Sequence, residues 1–199
     1  MSVYRRRRST TDPFTDLLFN ALLGFTFLFF ITIMFMNPVT KTGKVDLKAE
    51  YIITLSWPDG NTDDIDIWVE GPEGNLLWFR DPEVGLLHLD RDDRGALKDT
   101  LTINGETIVN PLNQEIVTLR GLVPGEYVVN VHYYETKTKE PVKATVKVEK
   151  VNPILEVIYY GSVITEKVGE EKTAVRFTIA PDGSIRGINS LPKKLVKMN

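Results

Sequence analysis

The sequence predicts a mainly β protein: an N-terminal transmembrane α-helix followed by an Ig-like or jelly-roll-type β-sandwich. Three observations carry this. From Leu17 to Met36 no residue is charged, which matches the roughly twenty residues a helix needs to cross a bilayer's hydrocarbon core. After position 50 the chain breaks into short stretches rich in Val, Ile, Thr and Tyr, several of them alternating apolar with polar as half-buried strands do. Between them lie segments such as Pro58-Asp-Gly, Gly71-Pro-Glu-Gly and Pro181-Asp-Gly, which carry turn chemistry.

The helix is well signalled at its start. Asp12 suits the N-cap, and Pro13 suits the first helical position, where its missing N–H costs nothing. Asn37-Pro38 stops it. Asp16 then falls in the first turn, where the helix dipole favours a carboxylate. That alone would explain it as a helix-start residue. Yet Asp12, Asp16, Asn20 and Gly24 recur four apart and share one slowly drifting stripe, while the other side is Leu, Phe and Ile. A lipid-facing anchor gains nothing from such a stripe, whereas a helix enclosed by protein does. Thr26 and Thr32 say less, because Thr can bond back to its own helix.

Charge sets the orientation. Arg5 to Arg8 form an unbroken basic block before the apolar run, which places this end in the cytoplasm by the positive-inside rule. The expected organisation is a cytoplasmic basic tail over 1–11, the transmembrane helix over 12–37, a connector over 38–49, a β-sandwich over 50–190 and a C-terminal tail over 191–199. The expected location is the inner membrane, single-pass, with the sandwich periplasmic or extracellular. A cleaved signal peptide is the alternative, but its apolar stretch is shorter and a small-residue cleavage site follows it. No such site follows Met34-Phe-Met-Asn-Pro-Val here.

Composition narrows function. The chain of 199 residues has 24 basic and 27 acidic residues and a net charge of −3, with no cysteine and two histidines. The charge balance argues against a nucleic-acid partner. The missing cysteines exclude disulfides, zinc-thiolate sites and Cys nucleophiles. His88 and His132 lie far apart and read as exposed or packed strand residues. No nucleophile–base–acid set emerges, so no enzymatic role is expected.

The stretch Pro13-Phe-Thr-Asp16-Leu-Leu-Phe-Asn-Ala-Leu-Leu-Gly-Phe25 resembles the single transmembrane helix of the ExbD, TolR and MotB proteins. These are ion-channel subunits of proton- or sodium-driven motors. Their pattern is a Pro, two residues, an Asp, then a Leu/Val-rich run ending in a Pro, and Pro13, Asp16 and Pro38 match it. Asn20, where the family more often has an aliphatic residue, departs from it, and Asp12 lies outside it. The resemblance covers about residues 12–38. It implies that two copies of the helix stand inside a pentameric ring of a multispanning MotA/TolQ/ExbB-like partner, and that Asp16 takes up and releases the translocated H+ or Na+. The rest of the chain departs from the family, since neither a MotB-type αβ peptidoglycan-binding domain nor a mixed α/β domain is visible. The target of the sandwich is left open among cell wall, envelope protein and extracellular structure. A passive membrane-anchored binding or adhesion domain is the other reading.

In the external region strands are expected over Tyr51–Trp57, Ile65–Val69, Asn75–Phe79, Leu86–Leu89, Thr100–Ile103, Glu106–Val109, Glu115–Leu119, Glu126–Tyr134 and Val142–Lys150. A long pair is expected over Leu155–Lys167 and Thr173–Ala180, followed by a hairpin toward Ile185. Leu55-Ser-Trp-Pro, Asp64-Ile-Asp66-Ile-Trp-Val-Glu-Gly-Pro-Glu-Gly, Leu87-His-Leu-Asp90-Arg-Asp-Asp93 and Leu122-Val-Pro-Gly-Glu-Tyr-Val-Val-Asn-Val look like an extracytoplasmic bacterial β-sandwich domain spanning about 50–150. That likeness speaks to fold, and fold does not fix function. The acidic groups Asp63, Asp64, Asp66 and Asp90, Asp92, Asp93 would suit calcium by their oxygen chemistry, with Asp64, Asp66, Asp90 and Asp92 the residues to watch. They equally suit solvated turns, and no EF-type spacing is present. Trp57, Trp68, Trp78, Tyr133-Tyr134 and Tyr159-Tyr160 read as core or cross-strand partners more readily than as a ligand surface.

Overall fold

The computed structural model describes residues 12–36, 48–95 and 99–195. The basic block and most of the connector lie outside these residues. The chain divides into two units, with the boundary between Asp46 and Leu47.

The first unit is the helix α1, Pro13–Met36. It is long and apolar enough to cross a membrane, which suits an anchor or a signal sequence. Asp12 caps it as expected. Its Oδ1 accepts from the Phe14 amide at 3.1 Å and its Oδ2 from the Thr15 hydroxyl at 3.3 Å. Thr26 and Thr32 donate to the carbonyls of Leu22 and Leu28, both at 2.8 Å, so their hydroxyls are satisfied within the helix.

The second unit is a β-sandwich of antiparallel sheets. The strands, in chain order, are β1 Tyr51–Trp57, β2 Asp64–Glu70, β3 Leu76–Leu77, β4 Glu83–Val84, β5 Leu87–Arg91, β6 Thr100–Ile103, β7 Glu106–Val109, β8 Asn113–Leu119, β9 Gly125–Glu135, β10 Val142–Lys150, β11 Glu156–Thr165, β12 Glu171–Ile179 and β13 Ile185–Asn189. One sheet runs β11-β10-β1-β8-β5-β4 and the other β13-β12-β9-β2-β3, while β6 and β7 pair only with each other. Alternation explains the layers. Ile65, Ile67 and Val69 of β2 turn inward and meet Ile53, Leu55, Val117, Val129, Val131, Val146 and Phe177 in one continuous core. Asp66 and Trp68 take the other face. Tyr127, near the start of β9, stacks on Phe177 with ring centroids 5.4 Å apart. Its hydroxyl donates to the Val123 carbonyl at 2.9 Å, the corner that Ig-type sandwiches use to fix a strand entry.

Two features differ from the sequence expectation. The stretches Leu155–Lys167 and Thr173–Ala180 do not form a hydrogen-bonded pair. β11 pairs with β10, and β12 pairs with β9 and β13, so consecutive strands enter opposite sheets. The edges of β10 and β9 are both free to accept a strand, and local alternation does not say which one is taken. The domain also continues past position 190. Leu195 is buried against Trp68 and Val128, and Asn130 Nδ2 donates to the Lys193 carbonyl at 2.6 Å. The end of the described chain thus covers the outer face of the second sheet.

Candidate functional site

Among the helix residues, Asp16, Asn20 and Gly24 are all exposed. Asp12 performs the capping, and among the described residues the Asp16 carboxylate accepts no hydrogen bond. A Cβ on Gly24 would meet nothing within 4 Å. Glycine inside a helix costs about 1 kcal/mol relative to alanine, and nothing among the described residues requires it there.

The sandwich gathers a second set of acids at one edge. β3 is two residues long and pairs only with Val69 and Glu70. Among the described residues the outer edge of β2 from Asp64 to Ile67 therefore has no neighbouring strand. Glu115 fills this place from the facing sheet. It occupies an inward position of β8, between Asn113 and Val117, and is 1% exposed. Its Oε2 accepts the Ile67 amide at 2.6 Å. Its Oε1 has no hydrogen-bond partner.

The loop after β5 brings the third acid. Asp93 is buried and accepts from Arg91 at 2.7 Å and from the Gln114 amide at 3.1 Å, which ties the loop to β8. Gly95 follows with φ +64°, and a Cβ there would stand 2.8 Å from Thr62 and Asp63 backbone atoms. Only glycine lets the loop close so near to that strand entry. The result places Asp92 beside Asp66 and Glu115. One carboxylate oxygen from each of these three lies within 4.8 Å of the others. Asp64, Asp66 and Asp92 line a cavity of about 270 Å³ that also has Arg94, Tyr134 and Lys137 in its wall. Asp64 Oδ1 and Asp66 Oδ2 likewise have no hydrogen-bond partner.

Electrostatics follow from this crowding. Burial pushes the Asp64 carboxyl up to about 7, and the charges of Asp66 and Asp92 add to the rise while Arg94 opposes it. Burial raises Asp66 too, against the help of the adjacent His132. Glu115 is raised well above the usual carboxylate range by burial and then by the charge of Asp66, although the Ile67 amide pulls the other way. His132 Nδ1 stands 3.6 Å from Asp66 Oδ2, outside hydrogen-bond reach. Arg94 meets Asp92 at 3.4 Å. Among the described residues no Lys or Arg pairs with Asp66 or Glu115.

The neighbouring acids are spent on structure. Asp63 is fully buried, yet its carboxylate accepts from the Tyr133 hydroxyl at 2.8 Å, the Thr138 hydroxyl at 2.5 Å and the Lys137 and Thr138 amides at 2.6 and 2.9 Å. Burial works against its charge, but these bonds, led by Thr138, prevail and lower its pKa to about 2. Asp90 accepts from Thr118 at 2.6 Å and from Arg120 at 2.5 Å. Of the four acids singled out in the sequence, the structure therefore brings Asp64, Asp66 and Asp92 to one cavity and ties Asp90 elsewhere. Glu115 was not among them. Its signal was a charged residue in phase with the apolar face of Asn113–Leu119.

Aromatic side chains flank the cavity. Trp68 lies 4.8 Å from Trp78 and 5.4 Å from His132 between ring centroids, and Phe79 packs edge-on against Tyr134 at 5.1 Å. Arg80 sits over Trp78 and Phe79 at 5.4 and 5.3 Å. Trp57 belongs to the core. Trp57 and Trp68 are buried strand partners, whereas Trp78 and Phe79 are half-buried and Tyr134 is exposed.

Comparison with known proteins gives no match: no family model, no curated protein and no solved structure aligns with this chain.

Proposed function

We propose that this chain is the two-copy subunit of an ion-driven membrane complex, in which Asp16 carries H+ or Na+ and ion passage moves the external β-sandwich. In this reading α1 spans the inner membrane with its N-terminus cytoplasmic and the sandwich outside. A multispanning MotA/TolQ/ExbB-like protein encloses a dimer of the helix, five copies around two. The observation that carries the reading is that Asp12 takes the cap while the Asp16 carboxylate accepts no hydrogen bond among the described residues. The capping role is already filled, so the helix dipole is the structural reason left for an acid at this position. Gly24 on the same stripe supports it, because a small residue with no use inside the chain suits a closely packed neighbouring helix.

The energetics fit a carrier. Enclosure by apolar helices favours the neutral acid. A charge crossing about 100 mV releases about 2.3 kcal/mol, enough to drive a step in a cycle of protonation and release. The test is Asp16→Asn, which keeps size and removes the titrating group. The complex with the multispanning partner should still copurify, and ion flux through it should vanish. A wild-type flux in that variant, or a chain purified without any membrane partner, would sink the reading.

The second reading is a passive anchored binding domain, with α1 as an anchor only. The aromatic group Trp78, Phe79 and Tyr134 with Arg80 beside the acidic cavity favours it. It predicts that Asp16→Asn leaves every function of the chain intact.

A further inference from the structure

We propose that Asp66, Asp92 and Glu115, with Asp64 at the rim, form a binding site for one hard divalent cation, and that Ca2+ is the ion they fit. The inference stands on the sandwich alone and does not depend on the role of α1.

Four observations converge. The donor atoms are all carboxylate oxygens, and the group holds neither the thiolate nor the imidazole that softer metals prefer. One oxygen from each of Asp66, Asp92 and Glu115 lies within 4.8 Å of the others. Two oxygens held by one Ca2+, at about 2.3–2.6 Å each, can be no more than about 5 Å apart, so each pair lies within the span of a single ion. Glu115 is 1% exposed and Asp66 3% exposed, and each keeps one oxygen with no hydrogen-bond partner. A carboxylate oxygen left bare in a protein interior is costly unless something positive meets it. Among the described residues no Lys or Arg pairs with Glu115 or Asp66: Arg94 meets Asp92 alone, and the imidazole nearest Asp66, that of His132, holds its Nδ1 3.6 Å from Oδ2, outside hydrogen-bond reach.

The choice of ion follows from depth. Glu115 stands inside the sandwich, so it can bind only a cation that has shed water on that side. Mg2+ sheds water reluctantly and demands near-octahedral geometry, while Ca2+ accepts irregular sets of six to eight oxygens. The cavity of about 270 Å³ beside Asp64, Asp66 and Asp92 leaves room for water to complete such a set. The alternative is a proton shared between Glu115 and Asp92, since two carboxylates have no other hydrogen bond to offer each other.

The experiment uses the full chain, stripped with a chelator, in detergent or nanodiscs at neutral pH. CaCl2 and MgCl2 are titrated separately by calorimetry, and unfolding of the sandwich is followed by near-ultraviolet circular dichroism. One Ca2+ should bind per chain. At about a hundredfold excess over the dissociation constant the melting temperature should rise by about 5–10 °C. Glu115→Gln and Asp66→Asn should each weaken Ca2+ binding at least tenfold, and Asp90→Asn and Asp16→Asn should not weaken it. Asp92 lies on an exposed loop, so Asp92→Asn keeps the test decisive if a core variant fails to fold. The proposal is overturned by no saturable binding up to about 10 mM Ca2+, well above the affinity of extracellular calcium modules. It is equally overturned by Mg2+ binding as tightly as Ca2+, by carboxamide variants that bind like the wild type, or by stabilisation on acidification with no response to Ca2+, which is the shared-proton outcome. Loss of the site would leave the ion-carrier reading of Asp16 standing, because the two are read on different variants.

Discussion

Asp63 and Asp64 are adjacent in sequence, and their carboxyls behave in opposite ways. Asp63 is the more deeply buried of the two, yet it is the one held ionised, at about 2, while Asp64 is pushed to about 7. Burial works against the charge of both, and hydrogen-bond supply decides which of the two overcomes it. The turn at 136–138 offers Asp63 two amides and two hydroxyls, with a third hydroxyl from Tyr133. Asp64 faces Asp66 and Asp92 instead, and one of its oxygens goes without a partner. A sandwich that satisfies one aspartate so fully and starves the next residue has divided its acids into a structural set and a reactive set.

Removing Asp63 should give the largest effect. Asp63→Ala leaves the Lys137 and Thr138 amides short of an acceptor, while the Tyr133 hydroxyl keeps the Glu140 carbonyl at 3.0 Å; the loss should cost about 3 kcal/mol or more and lower the melting temperature by roughly 6–12 °C. Thermal unfolding checks this, and a shift below a degree or two would erase the distinction between the sets. In contrast, Glu115→Gln retains an acceptor for the Ile67 amide and should leave the chelated protein as stable as the wild type or more so.

A smaller loss is expected from Gly95→Ala. The added methyl meets the Thr62 and Asp63 backbone at 2.8 Å from a left-handed φ, so a strain of about 1–3 kcal/mol follows. The loop must move away to relieve it, carrying Asp92 with it. The variant should therefore lose affinity for Ca2+ as well as stability, although it touches no carboxylate. A stable variant with unchanged cation binding would show that the loop position does not matter.

The shallowest signal is the pH profile of the chelated protein, because the two acids oppose each other and Asp64 is partly solvated. Asp63 has a folded value below its unfolded one, so it stabilises above about pH 4 and that contribution is lost as pH falls toward 2. Asp64 has a folded value above its unfolded one. Its effect is favourable below about pH 4 and declines as pH rises through about 7. Urea unfolding from pH 3 to 8 should thus show a maximum on the acid side of neutrality, and Asp64→Asn should make only its upper flank less steep, since the raised Asp66 and Glu115 carboxyls contribute to that flank as well. A plateau unchanged by that variant would contradict the division.

Local chemistry was legible in the sequence; long-range choices were not. The uncharged run, Asp12 and Pro13 define α1, and the alternation Ile65, Ile67, Val69 places β2 with its acids on the other face. The turn residues mark most strand ends. Sheet membership of β11 and β12 depends on which distant edge accepts them, which no window of sequence contains. The same holds for the site. Asp90, Asp92 and Asp93 look equivalent in Leu87-His-Leu-Asp90-Arg-Asp-Asp93, but the register shifts between Leu89 and Arg91, and a shift of one residue changes which side chains share a face. Only the folded strand separates Asp90, tied to Arg120, from Asp92 in the cavity. Glu115 was readable in principle, as an acid at an inward position of a strand, and its partner Ile67 was not.

The bond between Glu115 and the Ile67 amide has one more consequence. An exposed strand edge invites a second molecule to add its own strand, the first step toward fibres and misassembly. From Asp64 to Ile67 the edge of β2 would be such an invitation. A side chain from the opposite layer occupies the Ile67 amide on that edge, and negative charge crowds around it. The acids that make this corner receptive to a metal ion also make it inhospitable to another polypeptide backbone.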